Sequence, residues 1–430
     1  MSRALVRGGR LIDPANGRNG LFDLLLEDGV VREVVSGAQG MDVPDADVVS
    51  AEGRLVLPGL VDIHCHLREP GYERKEDIAS GTRAAARGGF TSICCMANTS
   101  PVNDNAGVTA FIRKRGEEAG AGVRVYPIGA VTEALEGCTL TDFAALKAAG
   151  AVALSDDGRP VTDAGLFRQA LERADAAGLL LLSHCEDLAL VGDGVMNQGE
   201  VSARIGLPGA TRAAEEAMIA RDLLVAEALG VRVHICHVST RGGVRLIRQA
   251  KSRGVRVTAE TAPHYLAATD AWVERRGTMT RVNPPLRTED DRLACIYGLL
   301  DGALDCIATD HAPHHADDKA TDYPSAAPGI SGFETAFAIC WTHLVEHGYM
   351  DAEQLVAFIT CAPARILGLP AGSLGVGDAA DLVIADPKER WTVDASAFAS
   401  KGKNTPFNGE TYTGRVRETF VAGRNIYREA

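Results

Sequence analysis

The chain has 430 residues, 46% of them hydrophobic, and its 44 basic and 57 acidic side chains give a formal net charge of −13. That length exceeds one small domain and suits a large barrel with an accessory domain, while the acidic balance argues against a general binder of nucleic acid or anionic membranes, which carries a basic patch. No stretch approaches the ~18 uninterrupted apolar residues of a membrane span, and "MSRALVRGGRLIDPANG" has charge and glycine where a secretory signal needs an apolar core, so a cytoplasmic protein is expected.

Residues 1–58 alternate apolar and polar side chains between Gly, Asp and Asn turns, as in "ALVRGGRLID" and "FDLLLEDGVVREVV", the pattern of short antiparallel strands. From residue 59 the pattern changes. Strand-like runs at 60–66, 91–96, 123–128, 151–154, 179–183, 231–237, 255–260 and 305–308 alternate with amphipathic helical stretches such as 77–87, 141–149, 162–177, 211–229 and 240–253. Many helices open at Asp or Thr and close at Gly. Eight strands alternating with helices over about 310 residues predict an α/β fold, a (β/α)8 TIM-like barrel across 59–371. A G-x-G-x-x-G turn after the first strand is absent, which disfavours a dinucleotide-binding sheet. Residues 372–430 return to strand-and-turn patterning. Neither flank is long enough to bury a core alone, so 1–58 and 372–430 are expected to combine in one small β-sandwich domain. The ten cysteines are scattered without C-x-x-C pairs, and several fall in apolar runs. They are expected to be reduced core thiols.

Barrel enzymes carry their working residues at the C-terminal ends of the strands. The first strand ends in "DIHCHLR", and side-chain alternation puts His64, His66 and Arg68 on one face. Two imidazoles there suit a metal, and a guanidinium beside them suits an anion. "ALSDDG" places Asp156 and Asp157 after strand four, "SHCED" places His184 after strand five, and "VHICHVST" places His234 and His237 around the end of strand six. "ATDHAPHH" places Asp310, His311, His314 and His315 after strand eight. Core packing alone does not explain polar residues at so many strand ends, because each buried His or Asp needs a partner. A His/carboxylate set without cysteine suits zinc or a similar divalent ion, and metal-assisted hydrolysis of an amide-like bond, or its reverse. The alternative for Arg68 is a surface ion pair with Glu69 or Glu73.

Together "DIHCHLREPG", "MANTSP", "SDDG", "SHCED", "ICHVST", "NPPLR", "ATDHAPH" and "KGKNTPFNG" resemble the dihydroorotases of the amidohydrolase superfamily, bacterial class I type, over nearly the whole chain. The resemblance implies zinc-dependent, reversible cyclisation of N-carbamoyl-L-aspartate to L-dihydroorotate in pyrimidine synthesis. It implies that His64, His66, Asp157, His184, His237 and Asp310 bind one or two Zn2+ ions per subunit, with Asp157 bridging and Asp310 also shuttling the proton. It assigns the substrate to His66, Arg68, Asn98, Asn283, His314 and the backbone of Pro328 and Gly329. By family position Asp156 becomes a turn residue, and His234 a hydrogen-bonded barrel histidine. The loop 309–331 is expected over the pocket mouth. The family is commonly dimeric, and some members assemble with aspartate transcarbamoylase, so a homodimer and that partner are expectations too.

Three other readings compete. Hydantoinases and dihydropyrimidinases share the barrel and the H-x-H, but generally bridge their metals with a carboxylated lysine from strand four. Here that strand end is "LSDDG", with Lys147 back in the preceding helix. An inactive structural partner of aspartate transcarbamoylase would have shed ligands that this chain keeps. A deaminase on the same barrel would lack Asp157 and the Arg68/Asn98 pair.

Overall fold

Leu60–Cys65 is buried on both faces, as a strand must be in a parallel sheet covered by helices. In the computed structural model, which describes residues 3–429 apart from 38 and 120, it is the first of eight such strands. They are β1 (Leu60–Cys65), β2 (Phe90–Cys95), β3 (Arg124–Gly129), β4 (Ala153–Leu154), β5 (Leu180–Ser183), β6 (Val233–Ile235), β7 (Val257–Thr261) and β8 (Cys306–Ile307). Each pairs in parallel with the next. The ring closes through the His66 N–H, which donates to the His311 carbonyl at 2.8 Å. Beside it, the Asp62 carboxylate accepts from the Thr309 N–H and hydroxyl at 2.8 and 2.7 Å. The expected barrel is present.

The helices begin where their side chains can satisfy the free N–H groups of the first turn. Asp77, Asp142, Asp163 and Thr240 cap the helices Ile78–Arg87, Phe143–Ala149, Ala164–Ala177 and Arg241–Ser252 in this way. Each cap contributes about 1 kcal/mol. One expected stop signal has a different cause. Gly88 keeps a right-handed backbone, and a Cβ there would meet the Phe333 carbonyl oxygen at 2.2 Å, so glycine is required for space.

The two chain ends interleave in a nine-stranded mixed sheet. Leu382–Thr392, from the C-terminal end, lies antiparallel to Leu55–Pro58, so neither flank completes a sheet without the other. Arg18–Glu27 joins the two halves of the sheet, pairing through its first residues with Arg10–Asp13 and through its last with Arg3–Arg7. Alternation then divides the work of one strand. Leu382 and Ile384 enter the lobe's own core, whereas Val383 and Ala385 join the core shared with the barrel. All ten cysteines are unpaired, and only Cys138 is exposed.

Candidate active site

The barrel brings its strand-end histidines and aspartates into two adjoining knots. In the first, His64 Nε2 and His66 Nε2 each lie 3.4 Å from an Asp157 oxygen, and 3.6 and 3.2 Å from Asp310 Oδ1. In the second, His184 Nδ1 and His237 Nε2 are 2.7 Å apart, and 3.2 and 3.4 Å from Asp157 Oδ1. Ligands held about 2.0 Å from a tetrahedral zinc sit about 3.3 Å from one another, which the separations around Asp157 and Asp310 match; the His184–His237 pair, at hydrogen-bond distance, is closer. His64 Nε2 is buried and accepts or donates no hydrogen bond, the state of a lone pair reserved for an ion. The donor set fits a divalent metal. Asp157 belongs to both knots, one oxygen toward His66 and the other toward His64, His184 and His237.

Neighbouring groups set which ring nitrogen faces inward. His64 Nδ1 donates to Glu260 Oε1 at 2.6 Å, which leaves the Nε2 lone pair facing the knots. His66 Nδ1 donates to Asn98 Oδ1 at 2.9 Å, and His184 Nε2 lies 3.5 Å from Glu186 Oε2. Glu260 and Glu186 escaped the sequence reading. Their signal was present, since Glu260 is a carboxylate at the end of strand seven and Glu186 follows His184 by two residues. Burial would raise the Asp157 carboxyl, but His64, His184 and His237 hold it well below the usual range. Asp310 is likewise buried, yet the hydrogen bond to His66 and the nearby His64 keep its pKa low.

Two ambiguities of strand phase are resolved by where the strands end. β6 stops at Ile235, and His237 then turns into the centre with a φ of 35°. His234 stays in the barrel, bound to Thr258 Oγ1 at 2.8 Å and Glu260 Oε2 at 3.2 Å. Asp156 anchors the loop after β3 by accepting from the Val131 and Thr132 N–H groups, and its burial raises its pKa to about 6. Arg68 reaches the site for a reason alternation did not supply, because β1 has already ended and Arg68 adopts a φ of 64°. Asp310 is also left-handed, at 46°. Such backbone costs about 1 kcal/mol or more for a non-glycine residue and collects where side chains must be aimed.

Above the knots opens a cavity of about 210 Å³. His66, Asp157, His184, Glu186 and Asp310 line the side nearest the knots, and Arg68, Asn98, Asn283, His314, Pro328 and Gly329 are among the residues opposite; His64 and His237 do not line it. Arg68 is half-buried, its Nε donating to the Pro313 carbonyl at 3.2 Å, and no carboxylate among the described residues lies within 4.0 Å of it. Glu69 pairs instead with Arg115 at 2.8 Å, so the surface ion pair does not form. Burial, with Arg68, Lys75 and Lys319 nearby, pushes His314 down to about 2, so its ring is neutral, and Nε2 donates to the Pro328 carbonyl at 2.8 Å. The loop 309–331 contributes this wall and carries the short helix Ala316–Lys319. His264 is buried against Tyr265, and His343 packs against His347 and Tyr412, away from the knots. Lys147 is outside the centre too, its ammonium donating to the Ala177 carbonyl at 2.6 Å.

The chain is similar to known proteins in sequence and in fold. A protein-family model described as Dihydro-orotase-like matches residues 53–243. A dihydroorotase of Syntrophus aciditrophicus is 51% identical over 99% of this chain and 100% of its own length. Those of Acetivibrio thermocellus and Anaeromyxobacter dehalogenans are 48% and 50% identical, each over 99% of this chain and 99% and 98% of their own. Among solved structures, an L-hydantoinase from Arthrobacter aurescens superposes with a TM-score of 0.88 at 26% identity, covering 100% of this chain and 97% of its own. A dihydropyrimidinase from Brevibacillus agri, at 22% identity and a TM-score of 0.84 over 99% of this chain and 95% of its own, shares the fold.

Proposed function

We infer the reaction from the premise that this chain belongs to the dihydroorotase family, and is therefore a cyclic amide hydrolase acting on a small molecule. The proposed reaction is the reversible closure of N-carbamoyl-L-aspartate to L-dihydroorotate, a step of pyrimidine synthesis. The observation that carries it is Arg68, a guanidinium without a carboxylate partner, facing the same cavity as the ligand knots. A hydantoin ring has no carboxylate to offer it; dihydroorotate does, and a guanidinium can hold one bidentately.

In this reading His64, His66, Asp157, His184, His237 and Asp310 hold one or two zinc ions. A divalent ion there supplies Lewis-acid polarisation of a carbonyl and a more acidic water. Arg68 and Asn98 take the substrate carboxylate, with His314, Asn283 and the backbone of Pro328 and Gly329 around the ring. In the hydrolytic direction water adds to the ring carbonyl that lies against the knots. Asp310 accepts one proton of the water and returns it to the ring nitrogen as the C–N bond breaks, and the new carboxyl group releases the other to solvent, leaving a carboxylate and a ureido group. Closure runs through the same steps in reverse and releases water. Asp157, which faces all four histidines, would hold the metal without any need for carbon dioxide, and Lys147 would have no part in it.

The proposal extends to a homodimer in the cytoplasm, with aspartate transcarbamoylase as a candidate partner, on the resemblance alone. No helix among the described residues is long and apolar enough to cross a membrane. The test is turnover of the chelated and zinc-reloaded protein with dihydroorotate, hydantoin and dihydrouracil. Opening of dihydroorotate alone, restored by zinc, is the expected result; preference for the uncharged rings would overturn it.

A further inference from the structure

The segment between the lobe strands Leu382–Thr392 and Thr411–Val421 leaves its sheet and crosses to the barrel mouth. It carries Asn404, which is only 2% exposed. The Asn404 Nδ2 donates to the Ala312 carbonyl at 3.0 Å and to the Gly329 carbonyl at 2.9 Å. Its Oδ1 accepts from the His314 N–H at 2.8 Å and lies 2.9 Å from the Ser331 hydroxyl. Its own carbonyl accepts from the Ser331 N–H at 2.8 Å. An amide side chain has two N–H donors and two acceptor positions; three of them engage the backbone of this loop, and the Ser331 hydroxyl, whose single proton is shared between Asn404 Oδ1 and the Gly402 carbonyl at 2.9 Å each, stands at the fourth.

The contacts fall at the two ends of that loop, Ala312 and His314 where it departs, Gly329 and Ser331 where it returns. There is little slack between them. Gly329 has a φ of 148°, and a Cβ on it would meet the Ala312 carbonyl oxygen at 2.6 Å and the His314 ring at 3.0 Å. The metal knots hang on strand ends and do not touch Asn404. The wall that Asn404 holds is the one beside Arg68, whose Nη2 is 3.3 Å from His314 Nε2.

We propose that Asn404 is a positioning residue for substrate binding, a tie from the β-lobe that holds the His314 and Gly329 wall of the pocket in place beside Arg68, which takes the substrate carboxylate. This rests on the carboxylate reading of Arg68 given above. The lobe then completes the substrate pocket as well as sharing a core with the barrel.

The test uses the metal-loaded full chain, with zinc content, melting temperature, kcat and KM for dihydroorotate measured for Asn404→Ala, Ser331→Ala and Arg68→Met. Losing the amide is expected to raise KM about tenfold or more, with kcat changed less than about threefold and zinc content unaltered. Ser331→Ala moves KM the same way by a smaller factor, and it decides the matter if Asn404→Ala does not fold. In the Arg68→Met background Asn404→Ala adds less than it does alone, because both act on one carboxylate. A raised KM in Arg68→Met with wild-type KM in the folded Asn404 and Ser331 variants overturns this inference by itself. A fall in kcat or zinc content with KM unchanged does the same. An unchanged KM in Arg68→Met overturns the carboxylate reading, and this inference with it.

Discussion

Arg68→Met removes the guanidinium and keeps an unbranched apolar stem, so it separates recognition from packing. In the structure Arg68 is held ready for an anion, with Nε on the Pro313 carbonyl and no carboxylate to be displaced before substrate binds. Little of the binding energy is then spent on ordering the side chain. Truncating one partner of a buried charge pair costs about 2–5 kcal/mol, or roughly 30-fold to several thousand-fold in an equilibrium or rate ratio. Arg68 is half-buried, and Asn98 remains beside the anion, which points to the lower part of that range. The expected loss in kcat/KM for dihydroorotate is therefore about 30- to 300-fold, most of it in KM. The assay follows ring opening of dihydroorotate and of dihydrouracil at matched zinc content. Any residual turnover of the uncharged ring should change by less than about threefold, since it makes no use of the guanidinium. An equal loss on both rings, or a loss under threefold on dihydroorotate, would refute the carboxylate clamp.

Asp310→Asn keeps the shape of the side chain but cannot carry the proton, and kcat should fall by about a hundredfold or more, read by single-turnover kinetics on enzyme of verified metal content. Glu260→Gln weakens the hold on His64 Nδ1, and zinc affinity should drop about 10- to 100-fold in competition with a chelator, while a wild-type affinity would show that His64 needs no orienting partner. Lys319 gives a pH test. Burial, with Arg281 nearby, lowers it to about 7 from an ordinary 10.5, so between those values the unfolded chain binds the proton that the folded chain has released. Folding stability from this group therefore rises with pH above about 7, and its full penalty is present below. Denaturant unfolding of wild type and Lys319→Met at pH 6.5 and pH 9 should show the wild type gaining on the variant at the higher pH; a gap independent of pH would mean the amine keeps its ordinary affinity in the fold.

Much of this protein is written in local pattern. A strand's side chains repeat every two residues, so His64 and His66 could be placed on one face of β1 from sequence, and both do reach Asp157. Helix starts were as legible, because Asp77, Asp142, Asp163 and Thr240 cap through contacts only three residues away. What sequence phase could not decide lies just past the strand ends. His237, Arg68 and Asp310 are aimed by left-handed turns that no alternation rule anticipates, and the backbone adopts them only because the packed barrel around them compensates the strain. Partners distant in the chain were also out of reach. Glu260 meets His64 across 196 residues and Asn404 meets His314 across 90, and only closure of the barrel and the crossing of the lobe segment bring those pairs within hydrogen-bond distance. The histidines and carboxylates and the strand ends that carry them were determined by the sequence alone; the direction each side chain faces, and the wall opposite them, came from the tertiary fold.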